Sequence, residues 1–176
     1  MVREKDLRPF ELIRGSTSES DTAFQAPGAL AAALASISLS VTVPAGDFIF
    51  QENEQANGVY LVRSGRVRAT LFSPDGKLMI DRVLVAGAVL GLPAAMCARR
   101  FQFNAEALDS CDLGYIEAGV LNELLSSRPE LCIDVVQMMS RELIKLRQSR
   151  DYMHGCNHPE CSLYDECNRS SIHIYF

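Results

Sequence analysis

Residues 37–116 are cut into short pieces by turn signals, and nothing else in the sequence limits the fold as much. Pro44-Ala-Gly46, Asn57-Gly58, Ser64-Gly65, Pro74-Asp-Gly76 and Ala86-Gly87 follow one another at close intervals. Glycine supplies the positive φ that such turns use, and Pro74 presets φ for its own turn. Between the turns, apolar and polar residues alternate. Ile37, Leu39, Val41 and Val43 are interleaved with Ser38, Ser40 and Thr42, and Val67, Ala69 and Leu71 with Arg68 and Thr70. A period of two places one side of each segment in a core and the other in water. The pattern predicts strands over 37–43, 48–51, 59–63, 67–72 and 78–85. After a break, further strands run through Phe103/Ala105/Ala107 and Leu113/Tyr115. Seven or eight short strands at roughly ten-residue spacing indicate a small antiparallel barrel or jelly roll.

Helices flank this region. An alanine-rich stretch, 29–34, follows Pro27-Gly28 and predicts a short helix. Val120, Leu121, Leu124 and Leu125 mark an amphipathic helix. Ser127-x-x-Glu130 reads as a capping box, with Pro129 tolerated in the first turn, opening a longer helix over 128–150. Its apolar positions Cys132, Val135, Met139, Leu143 and Leu146 step by 3, 4, 4 and 3, a coiled-coil-like seam. Val136 and Ile144 are apolar too, so the helix can pack on its own barrel and meet a second copy at once; the alternative is that it only packs on its own barrel.

Composition removes whole classes of function. All three histidines (His154, His158, His173) lie in the last 23 residues, so 1–153 can build neither a Ser–His–Asp hydrolase nor a histidine-ligated barrel enzyme. A non-catalytic role is expected. The net charge of −5 argues against general nucleic-acid binding. No apolar run is long enough to span a membrane, and the first residues lack a secretory signal, so a cytoplasmic location is expected. In that compartment cysteines stay reduced, and Cys97, Cys111 and Cys132 read as small buried hydrophobes. Residues 1–22 carry mixed charges and the connector Gly15-Ser-Thr-Ser-Glu-Ser, and are expected to be a flexible N-terminal segment. The chain therefore divides into 1–22, a domain over 23–150, and a tail over 151–176.

Five motifs in order carry a family resemblance. They are Val43-Pro-Ala-Gly-Asp-Phe-Ile-Phe-Gln-Glu-Asn53, Gly58-Val-Tyr-Leu-Val-Arg-Ser-Gly-Arg-Val67, Pro74-Asp-Gly76, Ala86-Gly-Ala-Val-Leu-Gly91 and Leu124-Leu-x-x-x-Pro-Glu-Leu131. The arrangement resembles the cyclic nucleotide-binding domain superfamily, and within it the sensor half of Crp–Fnr-type bacterial regulators. The resemblance implies a double-stranded β-helix (jelly roll) followed by a long dimerisation helix, a homodimer, and a small-molecule effector. In nucleotide-binding members a Gly-Glu pair opens a short helix; the glutamate grips the ribose, and a later arginine pairs with the phosphate on the helix amides. Here Gly91 survives, but Leu92 follows it, and the arginine position falls at Arg100 or Phe101. Loss of the glutamate removes a charged hydrogen bond worth about 1.5–3 kcal/mol. Gly91-Leu-Pro-Ala is similar to the Fnr and nitrogen-fixation branches, which also lack it. The candidate ligand-binding residues are Gly91, Leu92, Pro93, Ala94, Arg99, Arg100 and Gln102. Pro93 suits a first helical turn, and Arg99 and Arg100 read either as charge partners of a docked anion or as a solvated loop pair. Such regulators carry a helix-turn-helix domain after the long helix; the 26 residues after Arg150 are acidic and cysteine-rich, so no direct contact with nucleic acid is expected.

The tail is the densest cluster of potential ligands. His154-Gly-Cys156-Asn-His158-Pro-Glu-Cys161-Ser-Leu-Tyr-Asp-Glu-Cys167 places five of them in fourteen positions, spaced Cys-x4-Cys-x5-Cys. Cys156, His158, Cys161 and Cys167 form a set of the kind that holds zinc, or an iron–sulfur cluster. The alternative is that these thiols are incidental. A metal or redox sensor is thus the second functional class that the sequence supports.

Overall fold

The computed structural model describes residues 24–74, 76 and 78–153, with side chains as far as 145. The segment 1–22 and the tail ligands Cys156, His158, Cys161 and Cys167 lie outside the described residues. The elements run α1 (Gly28–Ile37), β1 (Leu39–Val43), β2 (Phe48–Phe50), β3 (Gly58–Ser64), β4 (Val67–Phe72), β5 (Leu78–Leu84), β6 (Val89–Leu90), α2 (Leu92–Met96), β7 (Asn104–Ala107), β8 (Cys111–Glu117), α3 (Ala118–Ser127) and α4 (Glu130–Met153). The strands form two four-stranded antiparallel sheets, ordered β1-β8-β3-β6 and β2-β7-β4-β5. They face each other as a jelly roll.

Burial follows from which faces of each sheet are covered. In β2-β7-β4-β5 one face looks into the roll and the other into water. Val67 and Ala69 are therefore buried, while Arg68 and Asp81 pair on the outer side. The β1-β8-β3-β6 sheet is covered on both faces, so Val59, Leu61 and Val62 are all buried and β3 shows no clean alternation. Two apolar clusters result. One fills the roll, with Phe50, Val62, Val67, Leu84, Leu90, Phe101 and Leu113. The other joins Val59, Leu61 and Ile116 to the helices through Leu30, Leu34, Leu92, Leu121, Leu131, Val135 and Met138.

Four expectations are corrected at the ends and faces of elements. Ile37 closes α1 rather than opening β1, because the Ser36 and Ser38 hydroxyls donate to the Ala33 and Ala35 carbonyls and finish the helix. The capping box does not form: the Ser127 hydroxyl donates to the Leu124 carbonyl at the end of α3, and Glu130 accepts from Arg128. Of the three cysteines in the domain, Cys111 is buried, whereas Cys97 and Cys132 are exposed. The seam of α4 is divided. Val135 packs on the chain's own core, with Met139 partly buried against the same cluster; Cys132 and Leu143 are exposed; the Leu146 side chain lies outside those described. Leu131, Val135, Met138 and Glu142 make the inward row, and Ile133, Val136, Leu143 and Ile144 lie exposed.

Candidate functional site

The turn from β6 into α2 is the place where ligand chemistry is expected. Gly91 takes a left-handed φ of 78° there. A Cβ at this position would stand 2.6 Å from Cε1 of Phe101, so both the conformation and the close approach require glycine. Pro93 lies in the first turn of α2, which is only five residues long. Leu92 is buried in the helical cluster and Ala94 in the roll cluster, so α2 is bolted to both cores. This explains an apolar residue at 92: the position is a packing position.

Phe101 fills the space over the turn. Its ring stacks on Phe50 with centroids 3.8 Å apart and planes 13° from parallel, and Phe103 meets Phe50 edge-on at 5.3 Å. Backbone bonds fix this plug. The Phe101 amide donates to the Glu54 carbonyl, the Asn53 amide donates to the Phe101 carbonyl, and the Ala56 amide donates to the Arg99 carbonyl. The Arg100 guanidinium donates to the Asn53 carbonyl at 2.6 Å. The structure thus splits the sequence-derived set. Gly91, Leu92 and Ala94 are buried, while Pro93, Arg99, Arg100 and Gln102 lie on the outside. Nearby, burial pushes the Tyr60 phenol up, and Tyr115 and Glu54 add to the shift.

A second constellation lies deeper and was not foreseen from the sequence. Arg82 sits on β5 in phase with Ile80 and Leu84, on the inward side of the sheet. Its Nη1 donates to Oε2 of Glu142 on α4 at 3.1 Å. The other Glu142 oxygen accepts the Phe24 backbone N–H at 3.0 Å. Glu142 is 4% exposed. Beside the pair is a cavity of about 60 Å³, lined by Phe24, Ala69, Ile80, Arg82, Phe103 and Glu142. A sequence signal for it exists: each partner is a charged residue standing on an otherwise apolar row. Among the described residues, no cluster of three or more His, Cys, Asp or Glu is placed to hold a metal ion. No described helix is long and apolar enough to cross a membrane.

An antiparallel roll, a glycine turn into a short helix, and a long helix packed against the outside define the class of the fold, a jelly roll with an appended helix. The cyclic nucleotide-binding domain family matches residues 40–128, just over half of the chain, and the chain belongs to that family. It is 26% identical over 101 residues to the regulatory protein HlyX of Actinobacillus pleuropneumoniae, covering 57% of this chain and 42% of that protein. It is likewise 26% identical over 109 residues to the lysophospholipase nte1 of Aspergillus oryzae, covering 60% of this chain and 7% of that protein. The crystal structure of the Thermus thermophilus catabolite activator protein shares the fold with a TM-score of 0.64 at 22% identity, over 73% of this chain and 60% of that one. The chain spans less than two thirds of the length of each of these relatives. Its described domain is a cyclic nucleotide-binding domain similar to the sensor domains of Crp–Fnr-type regulators.

Proposed function

We propose that this chain is a non-catalytic sensing module whose roll receives a small-molecule effector other than a cyclic nucleotide, and whose α4 transmits the response to a second copy of the chain. The observation that carries this is the Phe101 ring stacked on Phe50 over the Gly91 turn. A phosphate seated there would face an aromatic ring and a buried leucine instead of an arginine and a glutamate, and would lose its hydration without compensation. The absence of histidine from residues 1–153 supports a role without acid–base chemistry. The exposed apolar residues Ile133, Val136, Leu143 and Ile144 support association through α4. Calorimetry with cyclic AMP and cyclic GMP tests the effector claim. No saturable heat is expected from either, and low-micromolar binding of one of them overturns it.

A second reading rests on the spacing of Cys156, His158, Cys161 and Cys167, which suits a tetrahedral zinc site or an iron–sulfur cluster. Under that reading the tail detects and the roll is its scaffold. Metal analysis of protein purified without oxygen decides between them. Near-stoichiometric zinc or iron, lost in a Cys156→Ser, Cys161→Ser double variant, supports the tail as the detector.

A further inference from the structure

We infer that residues 24–26 are a strap that lifts off the roll, and that the effector is a neutral aromatic molecule which takes the place of the Phe24 ring, lifts the strap and so unfastens α4. The inference deepens the sensing role proposed above and rests on it.

The strap is held by its contacts against the preference of its own backbone. Gln25 forms an antiparallel bridge to Ala88, just before β6. The Val89 N–H donates to the Phe24 carbonyl at 2.9 Å, the Ala26 N–H to the Gly87 carbonyl at 3.1 Å, and Gln25 Nε2 to the Ala86 carbonyl at 3.1 Å. Gly87 admits this approach: its φ is 93°, and a Cβ there would collide with Oε1 of Gln25. Phe24 itself has a φ of 58°. That left-handed conformation is an outlier for a bulky side chain, and it persists only where the surroundings impose it. Segments of this kind open at a lower cost than the strands they lie on.

What the strap covers sets the ligand class. The Phe24 ring is half-buried against the roll cluster and stacks on Phe103, with centroids 6.5 Å apart and planes 23° from parallel. Beside it lies the cavity of about 60 Å³, which Ala69, Ile80 and Phe103 also line. Its surface is almost wholly apolar, and the charged ends of Arg82 and Glu142 are bonded to each other. A charged ligand would lose its hydration against such walls without compensation. A neutral ring has no such loss. The cavity alone is too small for one, since a cavity that holds benzene measures ~150 Å³. The Phe24 ring is itself the size of benzene, so its departure leaves room for an aromatic molecule somewhat larger than benzene. The ligand ring then faces Phe103 as the Phe24 ring does now.

The strap is also a fastening of α4. The Phe24 N–H donates to Oε1 of Glu142 on that helix at 3.0 Å. Displacing Phe24 breaks this bond and unties the residues that precede α1 from α4. A ligand that enters the roll only when the strap is off favours the untied state, and shifts the population by its differential affinity. Leu143 and Ile144 are exposed next to Glu142, so the release reaches the surface proposed for the second copy.

The test adds indole to the purified full chain. The chain contains no tryptophan, so the fluorescence of the added indole reports binding directly. Saturable binding is expected. Amide exchange at Phe24, Ala26 and Val89, followed by NMR, should speed up on binding, because these N–H groups make the strap's own bonds. Slower exchange there would mean that indole sits beneath a closed strap, and overturns the inference. Phe24→Ala, which removes the competing ring, should tighten binding by about tenfold or more, and Ala69→Leu, which fills the cavity, should weaken it by a similar factor. Ile80→Phe, at a half-buried wall position, makes the second comparison if Ala69→Leu does not fold. Unchanged or weaker affinity in Phe24→Ala, unchanged affinity in the filled variant, or no saturable binding by the parent chain each overturn the inference. Cyclic AMP and cyclic GMP are titrated in parallel: saturable binding of either overturns the broader sensing proposal, while failure of indole alone overturns only the strap.

Discussion

Two charged residues on apolar rows carry much of what is specific to this molecule. Glu142 is nearly sealed from solvent and Arg82 is 19% exposed, so removing Arg82 leaves the Glu142 carboxylate in a poorly hydrated place. Breaking such a pair from one side costs about 3–5 kcal/mol, while replacing both partners with apolar side chains is often neutral. Arg82→Met is therefore expected to cost about 3 kcal/mol in chemical denaturation, and Arg82→Met combined with Glu142→Leu to recover most of it. Purely additive losses in that cycle would mean the two side chains are not coupled. The cysteines divide by the same logic of burial. Desolvation pushes the Cys111 thiol up, with the Asp109 charge adding to it, and the sulfur lies 3.4 Å from the Arg66 carbonyl and 3.3 Å from the Asp109 carbonyl. Cys97 is open to solvent. Alkylation of the native protein followed by peptide mass mapping should label Cys97 within the time that Cys111 stays untouched, and Cys111 only after unfolding.

At the scale of the element, the β4–β5 hairpin has a definite response to acid. The hydrogen bonds from Arg68 hold the Asp81 carboxyl below its ordinary value, burial opposing them only in part. A depressed folded pKa gives stability that is fully present above the unfolded value of about 3.9 and is lost as pH falls through the folded value. Both side chains are 38% exposed, so the pair contributes no more than about 1 kcal/mol. Asp81→Asn should lower the neutral-pH stability by up to that amount, and the difference from the parent protein should vanish once the pH has fallen through the folded value. A gap that widens on acidification would contradict the assignment. Strands were legible wherever one face is wet, as in β4, where Arg68 and Thr70 interrupt the apolar residues. β6 was not legible, because Val89 and Leu90 are both buried and two apolar neighbours carry no period. In α4 the periodicity announced a helix correctly but did not say which apolar positions turn inward.

For the whole molecule the open question is what α4 meets on its solvent side. Ile133, Val136, Leu143 and Ile144 are 61%, 62%, 49% and 56% exposed, and four large apolar side chains on one helix are more than scattered surface hydrophobes. The chain is expected to be a dimer by light scattering. Val136→Asp, at a residue exposed to solvent and outside the core clusters, should return it to a monomer with an unchanged circular dichroism spectrum. A parent chain that scatters as a monomer at tens of micromolar would remove this surface from the proposal.

The sequence by itself determined the roll, the order of its strands apart from β6, and the departure from the nucleotide-gripping pattern at Leu92, because turn chemistry and alternation are local and each is written in a few consecutive residues. It also showed Phe101 near the arginine position, though not that its ring would lie on Phe50, fifty-one positions earlier. Only the tertiary structure decided that Arg82 meets Glu142 across sixty positions, that Phe24 closes the same corner, and that Val135 faces inward while Val136 faces out. These are contacts between elements. Their partners are chosen by the way the sheets close and the helices pack, and no window of adjacent residues contains that choice.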